Sequence, residues 1–260
     1  MARIVLVHGA FGGAWSWEPV IPGLEEAGHT VQAVDLPGSG EDQTPVAEVT
    51  LDAYAERVCE ALASGRPAVL VGHSMGGVVV TQASARTPEQ VETLVYVAAF
   101  APADGQSLLD LTSLPEGAGD QVQANIVVDG DPPVATMPET AARVVIYGCS
   151  SDDAAGKAVA RRRPQPVAPL TQPVQIPADK RDAFARLPRA YVTCLQDLAI
   201  PPALQQRMYA AAGCDPVIEL DTDHTPMLSR TKELVSILDQ LASRATAAQP
   251  GSLASTQQDA

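Results

Sequence analysis

Up to about residue 100, short β-branched apolar runs alternate with amphipathic stretches, the pattern of βαβ units wound around a parallel sheet. The apolar runs predict strands over 4–8, 30–35, 68–72 and 94–99. Their nearly unbroken apolar character suits strands covered on both faces. Between them, helices are predicted over 18–27 before Gly28, over 50–64 before Gly65, and from Ser74 to residue 86, short of Pro88. Between Pro102 and Pro188 the rhythm breaks into short apolar pieces and many prolines, with one hairpin signal at Val127-Val128-Asp129-Gly130. Alternation then resumes, predicting a strand over 190–195, a helix over 202–212, a strand over 217–220 and a last helix over 226–243. The expected architecture is one α/β domain, a mostly parallel sheet with helices on both faces. Its core comes from 1–100 and 189–245, with 101–188 inserted as a cap and 246–260 as a flexible tail.

Composition narrows the partners. Apolar residues make up 46% of the 260 and charged residues 18%, enough to build a core and too apolar for a disordered chain. A net charge of −14 repels phosphate-rich partners, which argues against nucleic acid and anionic membranes and points to small neutral substrates or proteins. The one basic run, Arg161-Arg162-Arg163, is expected to be solvated cap surface. No apolar run approaches the roughly 18 residues that span a bilayer. The opening MARIVLVHG leads straight into the first strand, so a cytoplasmic protein is expected. Cys59, Cys149, Cys194 and Cys214 show no paired spacing and require neither disulfide nor metal.

The strongest local signal is VLVGHSMGG. An apolar strand runs into Gly72-His73-Ser74-Met75-Gly76 and then directly into a helix, which is the strand–turn–helix context of a G-x-S-x-G nucleophile turn. Such a turn strains the backbone at the serine and leaves no room for side chains at its glycines. The helix N-terminus beneath Ser74 places partial positive charge where an oxyanion would form. A glycine-rich loop, His8-Gly9-Ala10-Phe11-Gly12-Gly13, closes the first strand and can bring a second amide donor, Ala10 N–H, opposite that of Met75. A dinucleotide turn with Asp35 as ribose ligand competes for this loop, but the G-x-G-x-x-G spacing is absent.

A serine nucleophile needs a base. Of four histidines, His8 and His73 adjoin glycine turns and suit structural or pocket-lining roles, and His29 is expected to be exposed. His224 follows a predicted strand near the C-terminus, where the order Ser, acid, His puts the base. Asp197, directly after the strand ending AYVTCLQ, is the candidate orienting acid; Asp221 and Asp223 sit too near His224 on one loop to point back at it.

These segments, VLVHGAFGGAWSW, VGHSMGGVV, AYVTCLQDLAIPPALQQRM and DTDHTPMLSRTKEL, resemble the hydroxynitrile lyase and plant methylesterase branch of the α/β-hydrolases, which also holds many bacterial esterases. The likeness covers both halves of the core in order and spacing, and the cap less well. It implies an α/β-hydrolase fold without a cofactor, Ser74 as nucleophile, His224 as base, Asp197 as third member, and Ala10 with Met75 as oxyanion donors. Lyases of the branch carry a threonine hydroxyl where this chain has Gly9, and a lysine that stabilises departing cyanide where it has Thr225. The implied activity is therefore hydrolysis of a small ester through an acyl-serine. Two alternatives stay open: a lyase or C–C bond hydrolase on the same fold, and a non-catalytic small-molecule receptor. Plant members place a tryptophan over the substrate, whereas 101–188 holds only Tyr147 and Phe184 as aromatics. That departure favours a largely aliphatic pocket, with Phe11, Met137, Leu170 and Met227 as candidate lining. Homodimers are common in the branch, and nothing in these residues decides the oligomeric state.

Overall fold

The computed structural model describes residues 1–247. The tail expected from residue 246 lies outside the described residues, apart from 246–247 at the end of the last helix. In chain order the first half gives β1 (Arg3–Val7), α1 (Ile21–Glu26), β2 (Thr30–Val34), α2 (Leu51–Ala63), β3 (Ala68–Ser74), α3 (Gly76–Arg86) and β4 (Val91–Ala99). Between β4 and the next core strand lie α4 (Leu108–Thr112), α5 (Gln121–Asn125), β5 (Val127–Asp129), β6 (Val134–Thr136), α6 (Glu139–Val145), α7 (Asp152–Ala160), β7 (Gln165–Pro166), α8 (Ala168–Thr171) and α9 (Arg181–Ala185). The chain then adds β8 (Arg189–Cys194), α10 (Pro202–Ala212), β9 (Val217–Leu220), α11 (Pro226–Ser229) and α12 (Thr231–Ala247).

Six strands form one parallel sheet in the order β2-β1-β3-β4-β8-β9. After β2 the chain crosses back over β1, so the winding reverses between β1 and β3. Ligands of open α/β sheets bind at that point, outside the carboxyl ends of the strands. The alternation within each strand sorts the core into two layers. Val5, Val7, Leu70 and Tyr96 pack with α2, α3 and α10 on one face, while Ile4, Leu6, Val69, Val71 and Val97 pack with Trp17, Leu24 and α12 on the other. Each such buried side chain stabilises the fold by roughly 1.5–3 kcal/mol. The hairpin β5–β6 forms at the Asp-Gly signal and pairs with β7, and Ala142, Val145 and Val159 of the cap form an apolar cluster that also takes in Phe11 and Ala199 of the core.

Several expected features differ. The first helix starts only at Ile21, because Pro22 lacks an N–H and fits a helix only in its first turn; a 3₁₀ turn at Ala14–Trp17 precedes it. Gly28 has φ +89 and supplies the left-handed ending expected of it, whereas Gly65 is not among the positive-φ glycines. The last helix is two, broken at Arg230, where Ser229 Oγ turns to Asp223 and Thr231 Oγ1 caps back onto the Met227 carbonyl. His29 is buried: its Nδ1 accepts the Ala2 N–H at 3.2 Å and its Nε2 meets Asp239 at 2.9 Å. The basic run also does more than coat the cap. Arg161 pairs with Glu18 and lies over the Trp15 ring, Arg162 lies over Phe11, and Arg163 donates to the Gly40 and Asp42 carbonyls, so the three clamp the cap to core loops.

Candidate active site

β3 carries the chain into the serine turn, and Ser74 takes φ +54, left-handed backbone that a non-glycine residue adopts at a cost. The register explains how the sheet makes room. His73 pairs with Val97 but Ser74 with Ala99, so Ala98 is bulged out, itself at φ +42. A Cβ at Gly72 would stand 2.7 Å from the Gly76 carbonyl oxygen, and one at Gly76 2.6 Å from that of His8. Strand, turn, helix and the β1 loop are thus in backbone contact, which is why the spacing of glycines is compulsory.

The β1 loop closes from the other side. A Cβ at Gly9 would meet Ser74 Cβ at 2.7 Å, so the loop passes against the serine. His8 Nδ1 donates to the Gly9 carbonyl at 2.8 Å while its Nε2 accepts the Leu36 N–H at 3.2 Å. One neutral tautomer satisfies both, and burial pushes its pKa down. Asp35, the candidate ribose ligand, spends its carboxylate on the Ala14 and Glu41 amides instead. The Ala10 and Met75 N–H groups donate no hydrogen bond among the described residues.

His224 follows β9 and is buried, its Nδ1 2.8 Å from Asp197 Oδ2. Asp197 is fixed from four directions: Oδ1 accepts from Ala199 and Ile200 N–H at 2.8 Å each, and Oδ2 from Gln205 Nε2 at 3.1 Å as well as from His224. Burial opposes the charged imidazole, but the Asp197 charge and hydrogen bond, helped by Asp223 and Asp120, outweigh it and hold the His224 pKa above 6.5. His73 Nε2 donates to the His224 carbonyl at 2.8 Å and fixes the loop from below. Its own pKa is driven well down by burial and then by His224, so it stays neutral. Asp223 accepts from the Cys149 and Thr225 amides and from Ser229 Oγ, and Asp221 accepts from Gln196. Neither points at the imidazole.

Ser74, His224, Ala10 and Met75 line one cavity of about 110 Å³ between the sheet ends and the cap. No hydrogen bond joins Ser74 to His224 among the described residues; in resting enzymes that bond is often long and tightens with substrate. Phe11, Leu170 and Met227 line the cavity, as does Tyr147. Met137 does not: β6 ends at Thr136 and Pro138 turns the chain into α6, so Met137 packs with Ala142 and Val145 inside the cap, and its carbonyl accepts from Arg162. The cavity also contains a residue whose only sequence signal is that of a helix cap, Asp120, which is buried at 8% exposure.

The sequence pattern of the alpha/beta hydrolase family matches residues 4–237. This chain belongs to that family. Within it, the chain is 32% identical over 262 residues to methylesterase 7 of Arabidopsis thaliana, covering 93% of this chain and 96% of that one. It is 30% identical to polyneuridine aldehyde esterase of Rauvolfia serpentina, covering 91% and 94%. A crystal structure of polyneuridine aldehyde esterase superposes with a TM-score of 0.81 at 26% identity, covering 93% of this chain and 99% of that one. Two longer chloroplastic methylesterase relatives from Arabidopsis thaliana are spanned to only 56% and 64% of their length.

The α/β-hydrolase site here differs from the lyase pattern in a way that the geometry makes concrete. A side chain at Gly9 would collide with Ser74, so the loop has no place for a threonine. Thr225 is buried and donates its hydroxyl to the Ile146 carbonyl at 2.8 Å, linking the His224 loop to the cap. The position after His224 therefore serves the cap and offers no cation.

Proposed function

We propose that this chain is a serine esterase acting on small carboxylic esters. Ser74 Oγ attacks the ester carbonyl carbon as its proton passes to His224 Nε2, and the carbonyl oxygen becomes an oxyanion held by the Ala10 and Met75 N–H groups. Collapse expels the alcohol, which takes the proton from His224 and leaves an acyl-serine. Water, deprotonated by His224, attacks the acyl carbon through the same oxyanion position and releases the acid. Asp197 keeps the proton of neutral His224 on Nδ1 and stabilises the imidazolium without itself becoming protonated.

The observation that carries this reading is the 2.8 Å His224–Asp197 hydrogen bond opening onto the cavity that holds Ser74 and two unengaged amide donors. Thr225, in place of a lysine, supports ester hydrolysis over cyanohydrin cleavage. Hydrolysis of p-nitrophenyl acetate tests it: Ser74→Ala should lower kcat by about 10³-fold or more. Turnover that survives the substitution would overturn the assignment.

A further inference from the structure

Among the described residues Asp120 makes no hydrogen bond to Ser74, Asp197 or His224, although its charge helps hold the His224 pKa up. It lines the cavity that holds Ser74 and His224, among Leu108, Leu109, Val122 and Ile126. Its Oδ1 accepts the Val122 and Gln123 N–H groups at 2.7 and 3.0 Å and so caps α5. Oδ2 accepts no hydrogen bond among the described residues, and Asp120 makes no salt bridge there.

Capping does not account for the charge. A neutral oxygen suffices at a helix start, and this chain uses Thr50, Ser107 and Ser151 for α2, α4 and α7. At position 120 a carboxylate has instead been placed inside a cavity whose lining is mostly apolar, where His224 attracts its charge and Asp197 repels it. Burial pushes its carboxyl above the usual aspartate range, with the Gln123 and Val122 amides pulling the other way. A buried charge that the cap does not require, that His224 only partly offsets and whose Oδ2 stays open to the cavity is accounted for by a ligand that neutralises it. Of the ligand charges, only a cation does so. The chain's net charge of −14 also raises the local concentration of small cations, complementing its repulsion of polyanions.

We propose that Asp120 is a specificity-determining residue that receives, on Oδ2, the ammonium group of a small cationic ester while Ser74 attacks the carbonyl. The assignment refines the esterase reading and rests on it. Substrates of this class are short-chain esters of amino acids or amino alcohols whose nitrogen is protonated at neutral pH.

The test uses methyl esters of N,N-dimethylamino acids with two to four methylenes between carbonyl and nitrogen. Each is paired with the neutral ester in which CH replaces NH⁺. For at least one spacing, kcat/KM for the cationic ester should exceed that of its neutral partner by about 10- to 100-fold, the range of a charged hydrogen bond in a buried site. Asp120→Asn, which keeps the capping oxygen, should erase the preference. Effects of Asp120 on His224 act on both esters and cancel in the ratio. Asp120→Ser, which also caps, provides a second variant should Asn fold poorly. Calorimetric Kd values for the same pairs in the Ser74→Ala chain, with and without Asp120→Asn, should show the same contrast without turnover. Cationic and neutral esters within twofold of each other in both measurements, or a preference that survives Asp120→Asn, would overturn the proposal. Turnover persisting in Ser74→Ala would instead strike the nucleophile assignment, leaving the binding contrast to judge Asp120.

Discussion

Substituting Asp197 by asparagine tests the link between the fold and the chemistry, because the structure dictates which way the new amide must face. Oδ1 of Asp197 accepts two backbone N–H groups, from Ala199 and Ile200, both at 2.8 Å. That position must remain an oxygen. The amide nitrogen is therefore forced into the Oδ2 position, where its N–H groups meet His224 Nδ1 and the Gln205 amide, itself a donor. His224 can answer only by accepting on Nδ1 and carrying its proton on Nε2, the atom that should take the serine proton. The base is then in the wrong tautomer with its position nearly unchanged. The same exchange in triads of this geometry costs about 10⁴ in kcat, equivalent to about 5.5 kcal/mol of transition-state stabilisation. KM should change far less than kcat, because the one replaced oxygen, Oδ2, faces His224 and Gln205 and Asp197 does not line the cavity. Steady-state hydrolysis of p-nitrophenyl acetate by folded Asp197→Asn protein reads both constants. A loss in kcat below tenfold, with circular dichroism unchanged, would refute the argument that Asp197 sets the tautomer of His224.

Further outcomes follow from the same geometry. Catalysis needs neutral His224, and its pKa is held above 6.5, so the rate should fall as pH drops through an inflection above that value; a flat profile through this range would count against a histidine base. Stability runs oppositely. A folded-state pKa raised above the unfolded one favours the protonated ring, so this ion pair contributes below the unfolded pKa and its contribution is lost as pH rises through the folded pKa. Gly77→Ala should destabilise the chain by about 1–3 kcal/mol, since the new Cβ would overlap the Phe100 carbonyl oxygen and stand 2.9 Å from Ala99 Cβ. Gly65→Ala, whose Cβ meets only the Arg3 side chain from 3.5 Å outwards, should be nearly neutral, and equal Tm values for the two variants would contradict the packing argument.

What could be read in the sequence was what backbone geometry compels. Gly72 and Gly76 are fixed by contacts with the Gly76 and His8 carbonyls, so their spacing around Ser74, set between an apolar strand and a helix, announces the turn. The parallel strands were legible because β1, β3 and β4 are buried along nearly their whole length, and the winding order then brings distant Asp197 and His224 to one end of the sheet. The cap was not legible in this way. Its helices run to only 4–9 residues, too short for periodicity to show, and they are held by caps and packing. Met137 has the same parity as cavity-lining Ala135, but the strand ends between them and parity stops being informative. Asp120 carries only the signal of a helix cap; that its second oxygen is left without a partner in the cavity is a fact of tertiary packing. The arginines misled for a related reason, since a run of three charges looks solvated until the surfaces it bridges are known.

The central claim is that Ser74 becomes acylated. Acid quenching during turnover of p-nitrophenyl acetate, followed by peptide mass spectrometry, should find an acetyl group on Ser74, accumulating in the Asp197→Asn chain if deacylation slows more than acylation, and absent from Ser74→Ala. Sustained turnover with no acyl group on Ser74, or with the acyl group on another residue, would contradict it.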